Sequence, residues 1–213
     1  MDKKVLIFDL DGTLVNSKKS IIDAFNYSFI KNGLVKIDFN YFKKNSSKGS
    51  KFFIEKNLNK KRDILNKINN DFHHKYLNIC DQNIWCRAGV RWFLNKFCQK
   101  YIFVVCTNKK KKYAKKILNK LEIKKYFYKI YGSDFSIHKK PSRNLYTEIS
   151  KNLNSKGERI VIGDSEVDYE FANNCKKKFI LLEDGYTNYP AKKITKNYSI
   201  ANFFSLEKTI NLL

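Results

Sequence analysis

The chain has 213 residues, of which 43% are hydrophobic, enough for one substantial core or for a core with a small insert. Its formal net charge of +23 suggests nucleic-acid binding, but lysine supplies nearly all of that charge. Because arginine is the side chain best suited to bidentate phosphate and base contacts, a nucleic-acid-binding protein is only a remote alternative. The sequence has no apolar run of about 18 residues, which excludes a transmembrane helix.

The cysteines indicate a reducing compartment. There are five of them, and none forms a CxxC pair, so reduced thiols are expected. The first residues enter a strand directly, with no apolar signal region. We therefore expect a cytoplasmic protein with no membrane partner.

The first predicted strand, residues 5–8, is followed at once by an acidic pair. Ligands of parallel α/β sheets bind just beyond the carboxyl ends of the strands. Alternation of side chains puts Asp9 and Asp11 on one side, where two carboxylates repel unless a cation lies between them or one keeps its proton. A hard divalent cation such as Mg²⁺ would satisfy both, and Gly12 allows a sharp turn.

Residues 17–84 show helical periodicity and no convincing strand, with Ile22, Phe25 and Phe29 on one apolar face. This pattern predicts an all-helical insert. Its polar loop, residues 43–50, includes Lys48 and suits contact with a second anionic group on a small substrate. A solvated lysine-rich loop is the alternative.

The second half of the chain alternates between short apolar segments and amphipathic helices, which predicts an α/β fold with a doubly wound parallel sheet. Strand patterns recur at residues 102–106, 128–132, 159–162 and 179–182. The expected domains are a catalytic core of residues 1–16 and 85–213 and a helical cap of residues 17–84. We expect a mobile loop at residues 188–197.

Two of the later strands lead into polar clusters that suit phosphate. Thr107, Asn108 and Lys109 follow the strand at 102–106 and supply a hydroxyl, an amide and an ammonium at a helix start. Ordinary helix capping is the alternative for the threonine and asparagine. Lys140 precedes one of two prolines, which favours an extended backbone at that lysine.

The strand at 159–162 leads into another acidic pair. Gly163 provides a turn, and Asp164 and Asp168 follow it. An aspartate that caps a helix with an acidic first turn is the alternative explanation.

These clusters, in this order, resemble the motifs of the haloacid dehalogenase superfamily, and most closely its phosphoglycolate phosphatase-like branch with a helical cap. The matching motifs are Asp9-x-Asp11-Gly12-Thr13, Thr107-Asn108-Lys109, Lys140-Pro141 and Gly163-Asp164-Ser165-x-x-Asp168. The resemblance implies a Rossmann-like core with an inserted cap and a Mg²⁺-dependent phosphatase acting on a small phosphorylated metabolite. We expect a monomer or a homodimer.

The resemblance also implies a role for each acidic residue. Asp9 would be the nucleophile that forms an aspartyl-phosphate, and Asp11 the general acid and then the general base. Mg²⁺ would be bound by the Asp9 carboxylate, the Asp11 backbone carbonyl and Asp164. Asp168 would orient the metal shell or Lys140.

The resemblance also implies that Thr107, Asn108 and Lys140 would bind the phosphoryl oxygens.

Two related activities remain open. A phosphosugar mutase, similar to β-phosphoglucomutase, shares Asp9 and Asp11 and differs mainly in the cap. A nucleotide or pyrophosphate phosphatase differs only in cap contacts.

Overall fold

The computed structural model describes residues 2–45, 49–153, 155–186 and 198–213. The chain forms two compact units, one of Met1–Asn16 with Trp85–Leu213 and one of Ser17–Ile84. Lys48 and the loop predicted at residues 188–197 lie outside the described residues.

All described strands belong to the larger unit. They are β1 (Val5–Phe8), β2 (Val15–Asn16), β3 (Trp85–Cys86), β4 (Ile102–Cys106), β5 (Phe127–Tyr131), β6 (Arg159–Gly163), β7 (Lys178–Leu182) and β8 (Ser199–Ile200). Six of them form one parallel sheet in the order β5-β4-β1-β6-β7-β8, and β2 pairs with β3 in an antiparallel ladder. The pattern of the sequence did not predict β2, β3 and β8 because two residues are too few to show a period.

The helices divide between the units. The smaller unit contains α1 (Lys18–Lys31), α2 (Phe39–Asn45), α3 (Ser50–Asn57) and α4 (Arg62–Ile79). The larger unit contains α5 (Val90–Phe97), α6 (Lys111–Lys120), α7 (Arg143–Lys151), α8 (Glu166–Asn174) and α9 (Leu206–Asn211). No described helix is both long enough and apolar enough to cross a membrane.

Strand β1 is the centre of the sheet and is fully buried. Alternate side chains enter opposite faces: the Phe8 ring packs against Phe93 of α5 and Phe203, while Val5 and Ile7 join a core that includes Ile149 of α7. Helices therefore cover both faces, which confirms the predicted doubly wound α/β fold.

The parallel register aligns the ends of three strands. Phe8 lies opposite Val105 of β4 and Ile162 of β6, so the segments after β1, β4 and β6 begin at one edge of the sheet. Strand β5 lies one residue earlier than predicted, and Gly132, the predicted last residue of that strand, instead lies closely against the backbone of Lys111 at the start of α6.

The smaller unit is held together by an aromatic core. Helices α1 and α4 pack along each other, with the Phe25 and Phe72 rings stacked at 4.2 Å between centroids. Phe53 of α3 packs against Phe25 at 4.9 Å. The Ser28 hydroxyl donates to the Ile68 backbone oxygen at 2.5 Å, which satisfies a polar group buried between α1 and α4.

Candidate active site

The acidic segment after β1 is fixed by the sheet and by a tight turn. The backbone N–H of Asp9 donates to the Ile162 oxygen, which extends the β1–β6 ladder by one bond. Gly12 has a φ of 89°, in the left-handed region that favours glycine, and its N–H donates to the Val15 oxygen. A Cβ at Gly12 would lie 2.2 Å from an Asp164 carboxylate oxygen, so this turn directly contacts the segment after β6.

Asp164 is buried, and both of its carboxylate oxygens accept hydrogen bonds. The Thr13 hydroxyl donates to Oδ1 at 2.7 Å, and the backbone N–H of Tyr186 donates to Oδ2 at 2.6 Å. Burial, together with the nearby Asp168 charge, raises the pKa of Asp164 to about 7, even though these two hydrogen bonds oppose the rise.

Asp168 has two structural roles at once. It is the third residue of α8, where its Oδ2 accepts from the Ser165 hydroxyl at 2.6 Å and from the Ser165 backbone N–H at 3.2 Å. This is a capping box in which the N-cap residue is Ser165, so the predicted acidic first turn is present at Asp168 but the capping residue is a serine and not an aspartate. Its Oδ1 accepts from the Lys140 ammonium at 2.5 Å, which places the carboxylate in the acidic cluster as well.

Lys140 lies between two carboxylates. Its ammonium is 2.5 Å from Asp9 Oδ1 and 2.5 Å from Asp168 Oδ1, and its side chain is 4% exposed. Burial opposes the charged form, but the two carboxylates outweigh burial and hold the pKa of Lys140 well above its ordinary value. Burial likewise raises the pKa of Asp9 well above its ordinary value, against the opposing effect of Lys140.

The carboxylates of Asp9, Asp164 and Asp168 offer oxygen atoms that lie within 4.8 Å of one another. Carboxylates this close together repel one another when ionised, and a hard divalent cation would relieve that repulsion. The donor set therefore fits a divalent metal ion. The side chain of Asp11 is not part of this cluster.

Asp11 is instead paired with a lysine. The Lys109 ammonium lies 2.6 Å from Asp11 Oδ1, with the two side chains 8% and 18% exposed. The backbone of Lys109 is fixed on both sides: its N–H donates to the Thr107 hydroxyl oxygen, and its carbonyl accepts from the Ser133 N–H. The sequence predicts Lys109 as part of a cluster that suits phosphate, and no local pattern indicates its pairing with Asp11.

Asn108 holds the backbone of Lys140. Its amide nitrogen donates to the Lys140 oxygen and its amide oxygen accepts from the Lys140 N–H, each at 3.1 Å. The amide thus links the segments after β4 and β5, and the contact between Asn108 and phosphate that the resemblance implies stays a prediction. Thr107 is buried at the end of β4, where its N–H donates to the Tyr131 oxygen.

The arrangement thus combines three carboxylates, a buried ammonium and a hydroxyl at the edge of a parallel sheet. A family model described as haloacid dehalogenase-like hydrolase matches residues 6–182, a span that includes every motif residue named above. The chain belongs to the haloacid dehalogenase-like hydrolase family.

Individual proteins that are similar to this chain support the same family and indicate a phosphatase. The chain is 24% identical over 213 residues to the phosphoglycolate phosphatase of Mesorhizobium japonicum, which covers 97% of this chain and 94% of the relative. It is 30% identical over 200 residues to the phosphoglycolate phosphatase of Aquifex aeolicus, with 86% of each chain covered. The chain is therefore an enzyme, a haloacid dehalogenase-like phosphatase that resembles phosphoglycolate phosphatases.

A solved structure shows the same fold. A protein from Haemophilus somnus, described as a predicted phosphoglycolate phosphatase, superposes with a TM-score of 0.88 at 21% identity, with 98% of each chain covered. This likeness confirms the predicted Rossmann-like architecture of the haloacid dehalogenase-like family.

Proposed function

We propose that the chain is a Mg²⁺-dependent phosphatase that hydrolyses a small phosphate monoester through an aspartyl-phosphate on Asp9. The observation that carries this proposal is the position of the Asp9 carboxylate, beside the Lys140 ammonium and the carboxylates of Asp164 and Asp168. A nucleophile, a fixed positive charge and oxygen ligands in one place meet the requirements of phosphoryl transfer.

The carboxylates of Asp9 and Asp164, with the backbone carbonyl of Asp11, would hold Mg²⁺, and Asp168 would orient its surroundings. When bound, the ion would neutralise charge on the phosphoryl oxygens. Thr13 and Asp164 are already joined by a hydrogen bond, which orients this ligand before any ion binds.

In the first step, a carboxylate oxygen of Asp9 forms a bond to phosphorus as the ester P–O bond breaks. Protonated Asp11 gives its proton to the leaving oxygen. Lys140 and the Thr107 hydroxyl would bind the phosphoryl oxygens, where negative charge is concentrated in the transition state. Asn108 would act indirectly by holding Lys140 in place.

In the second step, Asp11 is a carboxylate and takes a proton from water as the water oxygen bonds to phosphorus. The bond between phosphorus and Asp9 breaks, which releases inorganic phosphate and restores the Asp9 carboxylate. Asp11 is therefore protonated at the end of this step, as it was at the start of the first step.

Phosphoglycolate is the proposed substrate, because the relatives from Mesorhizobium japonicum and Aquifex aeolicus are named phosphoglycolate phosphatases. We further propose that Ser17–Ile84 is a cap domain that selects the ester, and that the larger unit carries the chemistry. A cytoplasmic monomer or homodimer with no nucleic-acid partner is the proposed context.

A panel of phosphate monoesters tests the proposal, with Mg²⁺ present, release of inorganic phosphate as the readout and Asp9→Asn as the control. We expect turnover of at least one small ester by the wild-type protein and none by Asp9→Asn. Isomerisation of a sugar phosphate would favour a phosphosugar mutase. Selective hydrolysis of pyrophosphate or nucleotides would favour a nucleotide or pyrophosphate phosphatase. Folded protein that hydrolyses none of these compounds would contradict the proposal.

A further inference from the structure

The segment after β7, residues 183–186, lies directly against Asp164. The Tyr186 N–H donates to Asp164 Oδ2 at 2.6 Å. A Cβ at Gly185 would lie 2.1 Å from the Cβ of Asp164, so no side chain fits between this segment and the carboxylate. The orientation of Asp164 therefore depends on where the backbone of residues 183–186 is held.

One arginine holds that backbone. Arg87 donates from Nη1 to the Asp184 oxygen and from Nη2 to the Glu183 oxygen, both at 2.8 Å. Arg87 follows β3 directly, and its own N–H donates to the Leu14 oxygen, which anchors it to the turn after Asp11. The planar fork of a guanidinium can bind two carbonyls at once, which a lysine ammonium on its flexible stem does not reproduce.

Two further observations concern the conformation and the contacts of this segment. Asp184 has a φ of 57°, a left-handed conformation that aspartate adopts more readily than most residues and that the Arg87 hydrogen bonds hold here. The Tyr186 hydroxyl donates to Asn16 Oδ1 at 3.3 Å, so β2 contacts the same segment.

We propose that Arg87 is a positioning residue that, by binding the carbonyls of Glu183 and Asp184, holds the Tyr186 N–H in place and thereby orients Asp164 for a divalent cation. This inference rests on the proposed Mg²⁺ site. Outer hydrogen-bond partners of metal ligands typically change metal affinity by about 10–100-fold when they are removed.

Calorimetric titration of the wild-type protein with Mg²⁺ alone, compared with Arg87→Met, Arg87→Lys and Arg91→Met, tests the proposal. Arg91→Met is the matched control. Arg91 is exposed and lies four residues further on, and its replacement by methionine removes the same charge from the same region. We expect Arg87→Met to weaken Mg²⁺ binding about tenfold or more, Arg87→Lys to share most of that loss, and Arg91→Met to match the wild type.

The sign of the effect separates positioning from simple electrostatics. Loss of a positive charge would by itself strengthen binding of a cation, so weaker binding by Arg87→Met cannot be a charge effect. Turnover should recover towards the wild-type rate at saturating Mg²⁺, which a general disruption of the fold would prevent. Faster exchange of the Tyr186 amide proton in metal-free Arg87→Met would locate the change at the proposed hydrogen bond.

Gly185→Ala provides an independent variant, since it disturbs the same contact without removing charge, and it too should weaken Mg²⁺ binding. Equal Mg²⁺ affinity in the wild type and Arg87→Met would overturn the positioning role and leave the phosphatase proposal intact. Failure of the wild-type protein to bind Mg²⁺ would overturn both.

Discussion

The ammonium of Lys109 lies 2.6 Å from a carboxylate oxygen of Asp11, in a pair whose side chains are 8% and 18% exposed. Lys109 itself is fixed through its backbone to the ends of β4 and β5. The carboxylate proposed to exchange protons with the substrate is therefore held by a lysine of the loop that follows β4. This link connects two motifs that are 98 residues apart in the chain.

Removal of this link should affect proton transfer more than substrate binding. We expect Lys109→Met to lower kcat about tenfold or more for an alkyl phosphate, whose leaving oxygen needs a proton. The first step on p-nitrophenyl phosphate, formation of the aspartyl-phosphate, should be little affected, because that leaving group departs without a proton. Rapid-quench measurement of phosphoenzyme formation from both esters separates this step from the hydrolysis that follows it.

Lys115→Met, which changes an exposed lysine on α6, is the matched control and should behave as the wild type. Lys109→Arg should recover part of the activity on the alkyl ester. An equal loss in the rate of phosphoenzyme formation from both esters would argue against a role for Lys109 in positioning Asp11.

The two aspartates after β1 should differ in their effects. Asp9→Asn removes the proposed nucleophile, so we expect no phosphoenzyme and a loss of several orders of magnitude in kcat. Asp11→Asn should lower kcat about 10²–10⁴-fold on alkyl esters through loss of proton transfer. Acid-quenched reactions with radiolabelled ester measure the phosphoenzyme, and labelling of Asp9→Asn would show that another residue is the nucleophile.

The phosphatase activity should depend on a divalent cation. Excess EDTA should abolish release of phosphate, and Mg²⁺ added beyond the chelator should restore it, because the acidic cluster and the substrate would otherwise repel each other. Phosphate release assayed before and after chelation is the measurement. Unchanged turnover in metal-free buffer would be incompatible with the proposed role of the cluster.

The raised pKa of Asp164 predicts how stability changes with pH in the absence of metal. The pKa is about 7 in the folded protein and 3.8 ordinarily, so between these values the folded state keeps a proton that the unfolded state has released. The contribution of Asp164 to stability therefore falls as pH rises from about 4 to about 7. An asparagine in place of Asp164 cannot titrate, so the Asp164→Asn variant avoids this fall in stability.

Thermal unfolding in EDTA tests this expectation. Asp164→Asn should gain stability relative to the wild type as pH rises from 5 to 8, by about 1 kcal/mol or more, or roughly 2–4 °C in Tm. Mg²⁺ should stabilise the wild type at pH 8 and not the variant. A Tm difference that is constant across this pH range would contradict the pKa argument.

The sequence predicted the sheet well because its central strands are apolar and end at polar clusters. The register of β1 with β4 and β6 then brings Asp9, Thr107 and Asp164 to one edge, as parallel strands require. Short elements such as β2 and β3 were missed, since they depend on long-range pairing rather than on a local pattern.

Contacts made by backbone atoms were also beyond sequence analysis. The Tyr186 N–H that donates to Asp164 would be the same with almost any residue at that position, so no side-chain signal marks it. The Asn108 amide is a different case. Its residue type suited a phosphate contact, and tertiary placement directed both of its polar atoms to the Lys140 backbone.

The position of β1 at the centre of the sheet has a consequence for biosynthesis. Its neighbours β4 and β6 begin at Ile102 and Arg159, so the ribosome adds roughly 150 more residues before the second neighbour of β1 exists. At about 5–20 residues per second, roughly ten seconds or more pass before β1 can have a neighbouring strand on each side, and until then its apolar side chains are accessible to chaperones. Asp9 is thus translated long before Asp164 and Asp168, the residues that complete its final surroundings.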